Sequence, residues 1–346
     1  MRCTIVPPHV LERVLERTDN PDMRARARRS LVIDASNRVE RRLLEFARPE
    51  KAEPTSVLAE PKRTIHDAAH REHLPGKAVR AEGAPATGDA IVDQAYDWLG
   101  VTFEFFSKTY GRNSIDGAGL PMISTVHFGE NYDNAFWNGE QMVYGDGDGT
   151  LFNAFTGPID VTGHELTHGV TQFTAALEYF GQSGALNESM SDVFGALIKQ
   201  YYLDHTSEQA DWLIGEGLLA EGINGVALRS MKEPGTAYDD PQLGKDPQPG
   251  HMDQYVRTSR DNGGVHINSG IPNRAFYLAA VELGGYAWEK AGKIWYDTLS
   301  GGGLAPDIDF AAFAAKTVAT ATTLFGTGSA ELTAVQNAWA GVGLST

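Results

Sequence analysis

The sequence predicts an α+β protein in which a β-rich half precedes an α-helical half, with a short helical leader ahead of both. Three observations carry this prediction. Short apolar runs broken by glycine, asparagine and aspartate fill residues 115–155, as is typical of strands joined by tight turns. From residue 159 onward the pattern is mostly helical. Residues 1–50 combine two helical patterns with a charge opposite to that of the remaining chain. We therefore predict a leader at 1–50, a linker at 51–63, a β-rich domain at 64–157 and an α-helical domain at 158–346.

The composition is that of a globular protein. The chain has 346 residues, of which 42% are hydrophobic, and it has no run of eighteen apolar residues that would predict a membrane span. A formal net charge of −16 argues against nucleic acid as a partner. The N-terminus lacks the apolar core of a signal peptide. We expect a monomer that is secreted by a non-classical route or is cytoplasmic.

The leader is distinguished by its charge. It holds eleven arginines, no lysine and eight acids, a net charge of +3, so the rest of the chain carries −19. A basic segment ahead of an acidic body suggests that the leader docks on that body; the alternatives are an independent small domain or an Arg-rich tail. Helices are predicted over 9–20 and 22–48. The second has an apolar stripe formed by Leu31, Val32, Val39, Leu43, Leu44 and Phe46.

The following elements are predicted in chain order. Three prolines and mixed charge at 47–63 indicate a linker that is open to cleavage. The next segment, 89–111, is expected to be a helix ending at Gly111. Strands are predicted within 122–129 and 141–149. A polar, proline-rich loop is expected to interrupt the helical half at 232–260.

The strongest functional signal is the segment IDVTGHELTHGVTQF, residues 159–173. Residues four apart share one face of a helix, so His164 and His168 can bind one metal ion. Glu165 projects to the side, where it can hold a water. This is the H-E-x-x-H arrangement of zinc hydrolases. The alternative is an ordinary helix whose polar face carries two histidines.

A catalytic zinc site needs a third protein ligand and leaves one position for water. The segment GALNESMSDVFGALI places Glu188 twenty residues after His168, with Asp192 four residues further on the same helix face. We predict that Glu188 is the third ligand and that Asp192 accepts the second ring proton of a ligand histidine. Asn187 can do the same for the other histidine. These acids interrupt an apolar segment, which disfavours the alternative that they are surface acids.

Five segments, in order, resemble the thermolysin-like neutral metallopeptidases: NAFWNGEQMVYGDGDG, IDVTGHELTHGVTQFTA, GALNESMSDVFG, LRSM and DNGGVHINSGIPN. The resemblance covers about residues 70–346. It implies the family's two-domain fold, with the zinc helix at the cleft between a β-rich and an α-helical half. The leader segment CTIVPPHVL resembles the protealysin-like branch, which has a short prosegment with a Pro-Pro motif. His9 stands where that branch usually has leucine.

The resemblance implies a role for each matching residue. One zinc ion would be bound by His164, His168 and Glu188. Glu165 would act as general base and later as acid in peptide hydrolysis. The oxyanion would be stabilised by Tyr179 and His266, with Asp261 orienting His266.

The resemblance also implies how a substrate is held. Its backbone would bind to Asn134, the carbonyl of Ala135 and Arg229. The side chain after the cleaved bond would enter an apolar pocket formed by Phe152, Phe155, Val161, Ile214 and Leu228. An apolar cluster alone would more simply be core, so this pocket depends on the resemblance.

The sequence departs from the family at its calcium sites. Asp160, Asp211 and Glu216 match members of the double calcium site, but Lys199 replaces the glutamate shared by both ions. An ammonium group there can pair with the remaining acids and take the place of the cation. A further calcium site has Val226 where the family has aspartate. We therefore expect the double site to be lost and calcium dependence to be weak.

We interpret the chain as the precursor of a zinc endopeptidase that cleaves proteins and peptides on the N-terminal side of hydrophobic residues. Its leader is predicted to be an intramolecular inhibitor and folding aid, removed by self-processing in the linker. A Pro-Pro stretch in the active cleft would be poorly cleavable. Cys3 is either a ligand at the open zinc position or an inert thiol. The competing interpretations are an aminopeptidase of the wider clan and a binding protein without catalytic activity.

Overall fold

The structure is a computed structural model that describes residues 3–46 and 60–345, with the side chains of residues 4–36 and 60–345. The leader forms strand β1 (Cys3–Thr4) and helices α1 (Pro8–Arg17) and α2 (Pro21–Phe46). Both helices were predicted, with ends a few residues away. The predicted cleavage segment falls largely on residues 47–59, which lie outside the described residues.

The start of α1 follows from its two prolines. Pro7 has φ −64° and ψ 145° and caps the helix, and Pro8 is its first residue. Proline suits this position because its fixed φ is helical and its missing N–H would have no partner there. The apolar face of α1 is buried and consists of Pro8, Val10, Leu11 and Val14.

The apolar stripe predicted for α2 is wrong at one position. Val32 is 59% exposed, whereas its neighbour Leu31 packs against the main core. The side chains of adjacent helix residues point more than a quarter-turn apart. Where α2 contacts the body only along one face, Leu31 and Val32 therefore cannot both be buried there. The members of the stripe from Val39 onward lie outside the described side chains.

The β-rich half carries five strands and one long helix. They are β2 (Arg63–Asp67), β3 (Lys77–Ala81), α3 (Ala90–Tyr110), β4 (Met122–Val126), β5 (Ala135–Trp137) and β6 (Met142–Tyr144). Asp89 caps α3 by accepting hydrogen bonds from the backbone of Ile91 and Val92. Gly111, with φ 67°, ends the helix as predicted, because a left-handed residue closes its last turn.

One mixed sheet joins this half to the leader. Its strand order is β1-β5-β6-β4-β2-β3. Strands β2, β4 and β6 are adjacent and parallel, while the other pairs are antiparallel. The leader strand β1 is an outer strand, and Cys3 and Thr4 pair with Trp137 and Phe136 of β5. Leader and body therefore share one continuous hydrogen-bonded sheet.

The second half is helical. Its helices are α4 (Ile159–Phe173), α5 (Gly181–Leu203), α6 (Asp261–Asn268), α7 (Gly270–Leu283), α8 (Ala291–Ser300), α9 (Phe310–Phe325) and α10 (Ala330–Gly341). Between α5 and α6 lie four two-residue strands, β7 (Leu213–Ile214), β8 (Arg229–Ser230), β9 (Asp239–Asp240) and β10 (Gly244–Lys245), and a 3-10 helix (Met252–Gln254). In the described part of the chain, no helix is long and apolar enough to cross a membrane.

Helices α4 and α5 pack closely because glycine lies at their contact. A Cβ on Gly195 would come 2.7 Å from the carbonyl oxygen of Asp160, closer than real Cβ contacts. The small residue allows the two backbones to approach and sets the side chains of one helix directly against those of the other. This contact lies beside the sheet and brings the predicted metal ligands together.

Candidate active site

His164, His168 and Glu188 lie together between α4 and α5 and are fully buried. The two Nε2 atoms are 3.1 Å apart, and each lies 3.5 Å from an oxygen of Glu188. Glu188 Oε2 is buried and has no hydrogen-bond partner among the residues that the structure describes. Three donor atoms converging at these distances, one of them otherwise unsatisfied, fit a single zinc ion.

The opposite ring nitrogens of both histidines are held by α5. Asp192 Oδ1 lies 2.7 Å from His164 Nδ1, and Asn187 Oδ1 lies 2.8 Å from His168 Nδ1. Ser191, whose side chain the sequence did not single out, lies 3.0 Å from the same nitrogen of His168. These contacts leave both Nε2 atoms facing Glu188.

Asp192 also pairs with Arg229. The guanidinium donates two hydrogen bonds of 2.8 Å to its carboxylate, and Asn273 donates a third of 2.8 Å. Burial raises the pKa of Asp192, but Arg229 and His164 outweigh this effect and hold the pKa below its usual value. A single ionised carboxylate thus positions both His164 and Arg229.

Glu165 is buried next to the metal cluster, one residue after His164. Its Oε2 accepts a hydrogen bond of 2.9 Å from the backbone N–H of Trp137 in β5. Because the donor belongs to β5, the sheet orients a carboxylate that helix α4 carries.

Tyr179, His266 and Asp261 form the opposite side of the site. Tyr179 donates a short hydrogen bond to Glu188, and its hydroxyl lies 3.3 Å from His266 Nε2. Asp261 accepts two hydrogen bonds from His266, one from the ring nitrogen Nδ1 at 2.7 Å and one from the backbone N–H at 2.9 Å. Burial lowers the pKa of His266, but Asp261 and Glu188 outweigh it and the net shift is upward.

This arrangement depends on a distorted start of α6. Residues Asn262, Gly263 and Gly264 have φ of 50°, 84° and 80°, and the chain turns back on itself before the helix proper. Two consecutive glycines permit this left-handed turn at low cost. The turn brings Asp261 beside His266, five residues later.

The leader crosses the site in extended conformation. The N–H of Ile5 donates to the carbonyl of Ala135 at 3.1 Å, and its carbonyl accepts from Arg229 at 3.0 Å. Asn134 accepts from the N–H of Val6 at 2.9 Å and donates to its carbonyl at 3.2 Å. His266 Nε2 lies 3.1 Å from the carbonyl of Thr4.

The leader residues that contact the predicted site residues are therefore Thr4 to Val6. The prolines predicted for the cleft follow them, and Pro7 and Pro8 instead start α1, because their fixed φ suits the first turn of a helix. The side chain of Cys3 lies outside the described side chains, so its two alternatives stay open.

All five predicted pocket residues are buried within the main apolar cluster, which also contains Ile5 and Val6: Phe152, Phe155, Val161, Ile214 and Leu228. Lys199 lies at the predicted calcium position. Its Nζ is 2.5 Å from Asp211, 2.9 Å from Glu216 and 3.9 Å from Asp160.

Sequence reasoning missed a buried carboxylate of the leader. Asp34 accepts hydrogen bonds from Tyr132 at 3.1 Å and from Asn134 at 3.2 Å. The only local signal was an aspartate in an otherwise apolar turn of α2. The roles of Asn273 and of the Trp137 backbone were also missed, because a single sequence does not show which distant groups meet.

A buried centre of two histidines and one glutamate, at the junction of a sheet and a helical half, defines an H-E-x-x-H metallopeptidase. The chain belongs to the thermolysin metallopeptidase family. The family's "Thermolysin metallopeptidase, catalytic domain" model matches residues 51–172, and its "Thermolysin metallopeptidase, alpha-helical domain" model matches residues 175–344.

The chain is similar to an extracellular metalloprotease of Pectobacterium carotovorum subsp. carotovorum, with 54% identity over 99% of this chain and 96% of that protein. It is 51% identical to protease PrtS of Photorhabdus sp. (strain Az29), over 93% of this chain and 87% of that one. Among solved structures, the precursor of protealysin, a metalloproteinase from Serratia proteamaculans, superposes with a TM-score of 0.90 at 53% identity, covering 99% of this chain and 100% of that chain. The predicted family, fold class and enzyme class are confirmed.

Proposed function

We propose that this protein is the precursor of an extracellular zinc endopeptidase that cleaves before hydrophobic residues. The observation that carries the proposal is the path of Thr4–Val6. Their backbone makes, with Asn134, Ala135 and Arg229, the hydrogen bonds that an extended peptide substrate would make. Ile5, whose side chain is fully buried, occupies the position proposed for the hydrophobic substrate residue after the cleaved bond.

When bound by His164, His168 and Glu188, zinc supplies a water of lowered pKa and polarises the substrate carbonyl. Glu165 accepts the proton of the attacking water and later donates it to the leaving nitrogen. The hydrogen bond from Trp137 orients the carboxylate for this task.

Tyr179 and His266 donate hydrogen bonds to the oxyanion as it develops. His266 Nε2 is positioned for this role, since it already contacts the carbonyl of Thr4. Asp261 fixes the opposite nitrogen and favours the protonated ring. Arg229 and Asn134 hold the substrate backbone after the cleaved bond, so that the carbonyl meets these donors in register.

The leader acts as an intramolecular inhibitor in this proposal. It uses the backbone groups that a substrate needs, and its Ile5 and Val6 fill the apolar cluster that would receive substrate side chains. Because the leader is part of the same chain, its effective concentration at the site is high and free peptides compete poorly. Access to the site then requires cleavage in the linker.

The test compares Glu165→Gln with the wild type, with the exposed Glu140→Gln as matched control. Glu165→Gln should retain one zinc ion and lose casein hydrolysis by at least about 100-fold, because Glu165 acts on water and on the leaving group. Zinc analysis and hydrolysis are measured on the same preparations. Near-normal hydrolysis by Glu165→Gln would refute the assigned mechanism. Zinc bound elsewhere would refute the site.

A further inference from the structure

A second group of metal-ligating side chains lies outside the active site. His70, His127 and Asp146 bring one ligand atom each within 4.8 Å of one another. They follow β2, β4 and β6, which are adjacent and parallel in the sheet. The three strands end on the same side of the sheet, so the residues after them are gathered there by the topology.

The distances from Asp146 to the two histidines are close to those between donors around a zinc ion. Asp146 Oδ2 lies 2.9 Å from His127 Nδ1 and 3.5 Å from His70 Nδ1. With zinc bonds of 2.0–2.1 Å, two donors of a tetrahedral site lie about 3.3 Å apart. The corresponding spacings in the catalytic cluster are 3.1 and 3.5 Å.

The orienting contact of a metal-ligating histidine is also present. Asp89 Oδ2 lies 3.1 Å from His127 Nε2, the nitrogen opposite the proposed ligand atom. The other oxygen of Asp89 accepts from the backbone at the start of α3, which fixes the carboxylate. The same relation holds between Asp192 and His164, and such a partner fixes ring orientation and raises the basicity of the ligand.

The loops that carry the histidines are joined directly. The backbone N–H of His70 donates to the carbonyl of His127 at 2.8 Å, so the separation of the two rings is set by the backbone. The side chain of His70 is 61% exposed, whereas those of His127 and Asp146 are 16% and 23% exposed. The site is thus anchored on two sides and open to solvent on the third, where water can complete the coordination.

We propose that His70, His127 and Asp146 form a second zinc site. Two imidazoles and one carboxylate suit zinc, whereas calcium and magnesium prefer oxygen ligands alone. The ion would tie the ends of three strands together, including β2, the first strand after the linker. Without an ion, the same residues form a surface ion-pair network in which Asp146 and Asp89 raise the pKa of His127 to about 9.

The test is isothermal titration of Zn²⁺ into the precursor already loaded with catalytic zinc, with Glu165→Ala present in every protein compared so that the chain stays at full length. Four proteins are compared: wild type, His70→Ala, Asp146→Asn and the control His73→Ala, which removes an exposed histidine of the same loop. The wild type and His73→Ala should bind one ion more than the other two, or bind it at least tenfold more tightly. Because His70 is largely exposed, its removal should leave the fold unchanged, which circular dichroism checks.

Melting temperature gives a second readout that does not depend on hydrolysis. Zinc should raise it in the wild type and in His73→Ala, because an ion bound only by the folded state stabilises that state. The shift should be lost in His70→Ala and Asp146→Asn. If His70→Ala binds as many Zn²⁺ ions as the wild type, with equal affinity, the group is an ion-pair network and the proposal is wrong. Neither readout tests the catalytic role of Glu165, so this proposal and the proposed function can fail separately.

Discussion

Lys199 shows how one substitution alters the chemistry of a site. Its ammonium group lies among the carboxylates of Asp160, Asp211 and Glu216, at the position where the sequence predicts the loss of a calcium site. Asp160 is fully buried, and burial raises its pKa to about 6, against the opposing effect of Lys199. The lysine supplies a positive charge to these acids that belongs to the chain itself.

We predict that selective calcium chelation leaves the melting temperature of the wild type nearly unchanged. Lys199→Glu should be destabilised without calcium, because four carboxylates then converge, and should recover when calcium is added. The control is Lys293→Glu, which reverses a lysine paired with Asp297 on α8, away from these acids. Thermal melting with and without calcium measures both effects. A wild-type melting temperature that falls by many degrees on chelation would contradict the substitution.

Asp192 contacts both His164 and Arg229, and the effects of these two contacts can be measured separately. We predict that Asp192→Asn weakens zinc binding about 10–100-fold, because His164 loses its charged hydrogen-bond partner. The KM for peptides should also rise, since Arg229 loses its bidentate carboxylate. Zinc affinity by competition with a chelator, and KM in saturating zinc, separate the two effects. An Asp253→Asn control changes an exposed aspartate. Unchanged zinc affinity in Asp192→Asn would remove the orienting role.

At the scale of elements, the sequence predicted what depends on local pattern. Helices α3, α4 and α5 were predicted because apolar spacing and a terminal Gly111 are local signals. The strands β7 to β10 were not predicted, since each has two residues and only its partner defines it. In the same way, the i,i+4 spacing predicted the zinc ligands, but the pairing of β1 with β5 joins segments more than 130 residues apart.

The first helix of the leader carries a pH-sensitive group. His9 Nε2 lies 3.2 Å from the hydroxyl of Tyr238, and burial lowers the pKa of His9 to about 4. Asp261 opposes this shift, while Arg229, His266 and Arg13 add to it. The folded pKa is below the unfolded value, so the contribution of neutral His9 is complete above pH 6.5. It is lost as the pH falls from 6.5 towards 4.

We predict that His9→Leu makes the precursor less sensitive to acid over that range. The difference should reach at most about 3 kcal/mol of unfolding free energy at pH 4, because burial lowers the pKa of His9 to about 4. Both proteins carry Glu165→Ala so that the chain stays intact, and other titrating groups cancel in the comparison. Denaturant unfolding at several pH values provides the measurement. Parallel stability curves for the two proteins would show that His9 does not titrate on unfolding.

At the scale of the whole molecule, leader and body are opposite in charge and are joined by one sheet. The leader has a net charge of +3 and the remaining chain −19. The contacts at the site are more specific than this attraction between opposite net charges, because they are hydrogen bonds to the backbone of Ile5 and Val6. Charge predicted that the leader docks, but its position came only from the structure.

We predict that the wild type shortens on incubation and gains activity, whereas Glu165→Ala stays at full length. The reason is that self-processing needs the same carboxylate as substrate hydrolysis. Intact-mass spectrometry of both proteins, alongside casein hydrolysis, records length and activity together. Glu140→Ala serves as the control that should mature. Normal maturation of Glu165→Ala without another protease would exclude self-processing, and full activity of an uncut wild type would exclude inhibition.

The position of β1 at the border of the sheet has a consequence for which substrates the proposed mature enzyme would cleave. If the leader is removed as proposed, β5 would expose unpaired backbone groups that can pair with any chain able to lie alongside it. Such an edge binds an extended backbone through hydrogen bonds, and the identity of the side chains matters less for this contact. In a native helix or an internal strand, the backbone N–H and C=O groups are already hydrogen-bonded within the protein. In a disordered segment they are available to pair with β5. We expect the cleavage rate to depend on whether the substrate is folded. Folded proteins should resist cleavage, and the same proteins should be degraded once heat or denaturant unfolds them.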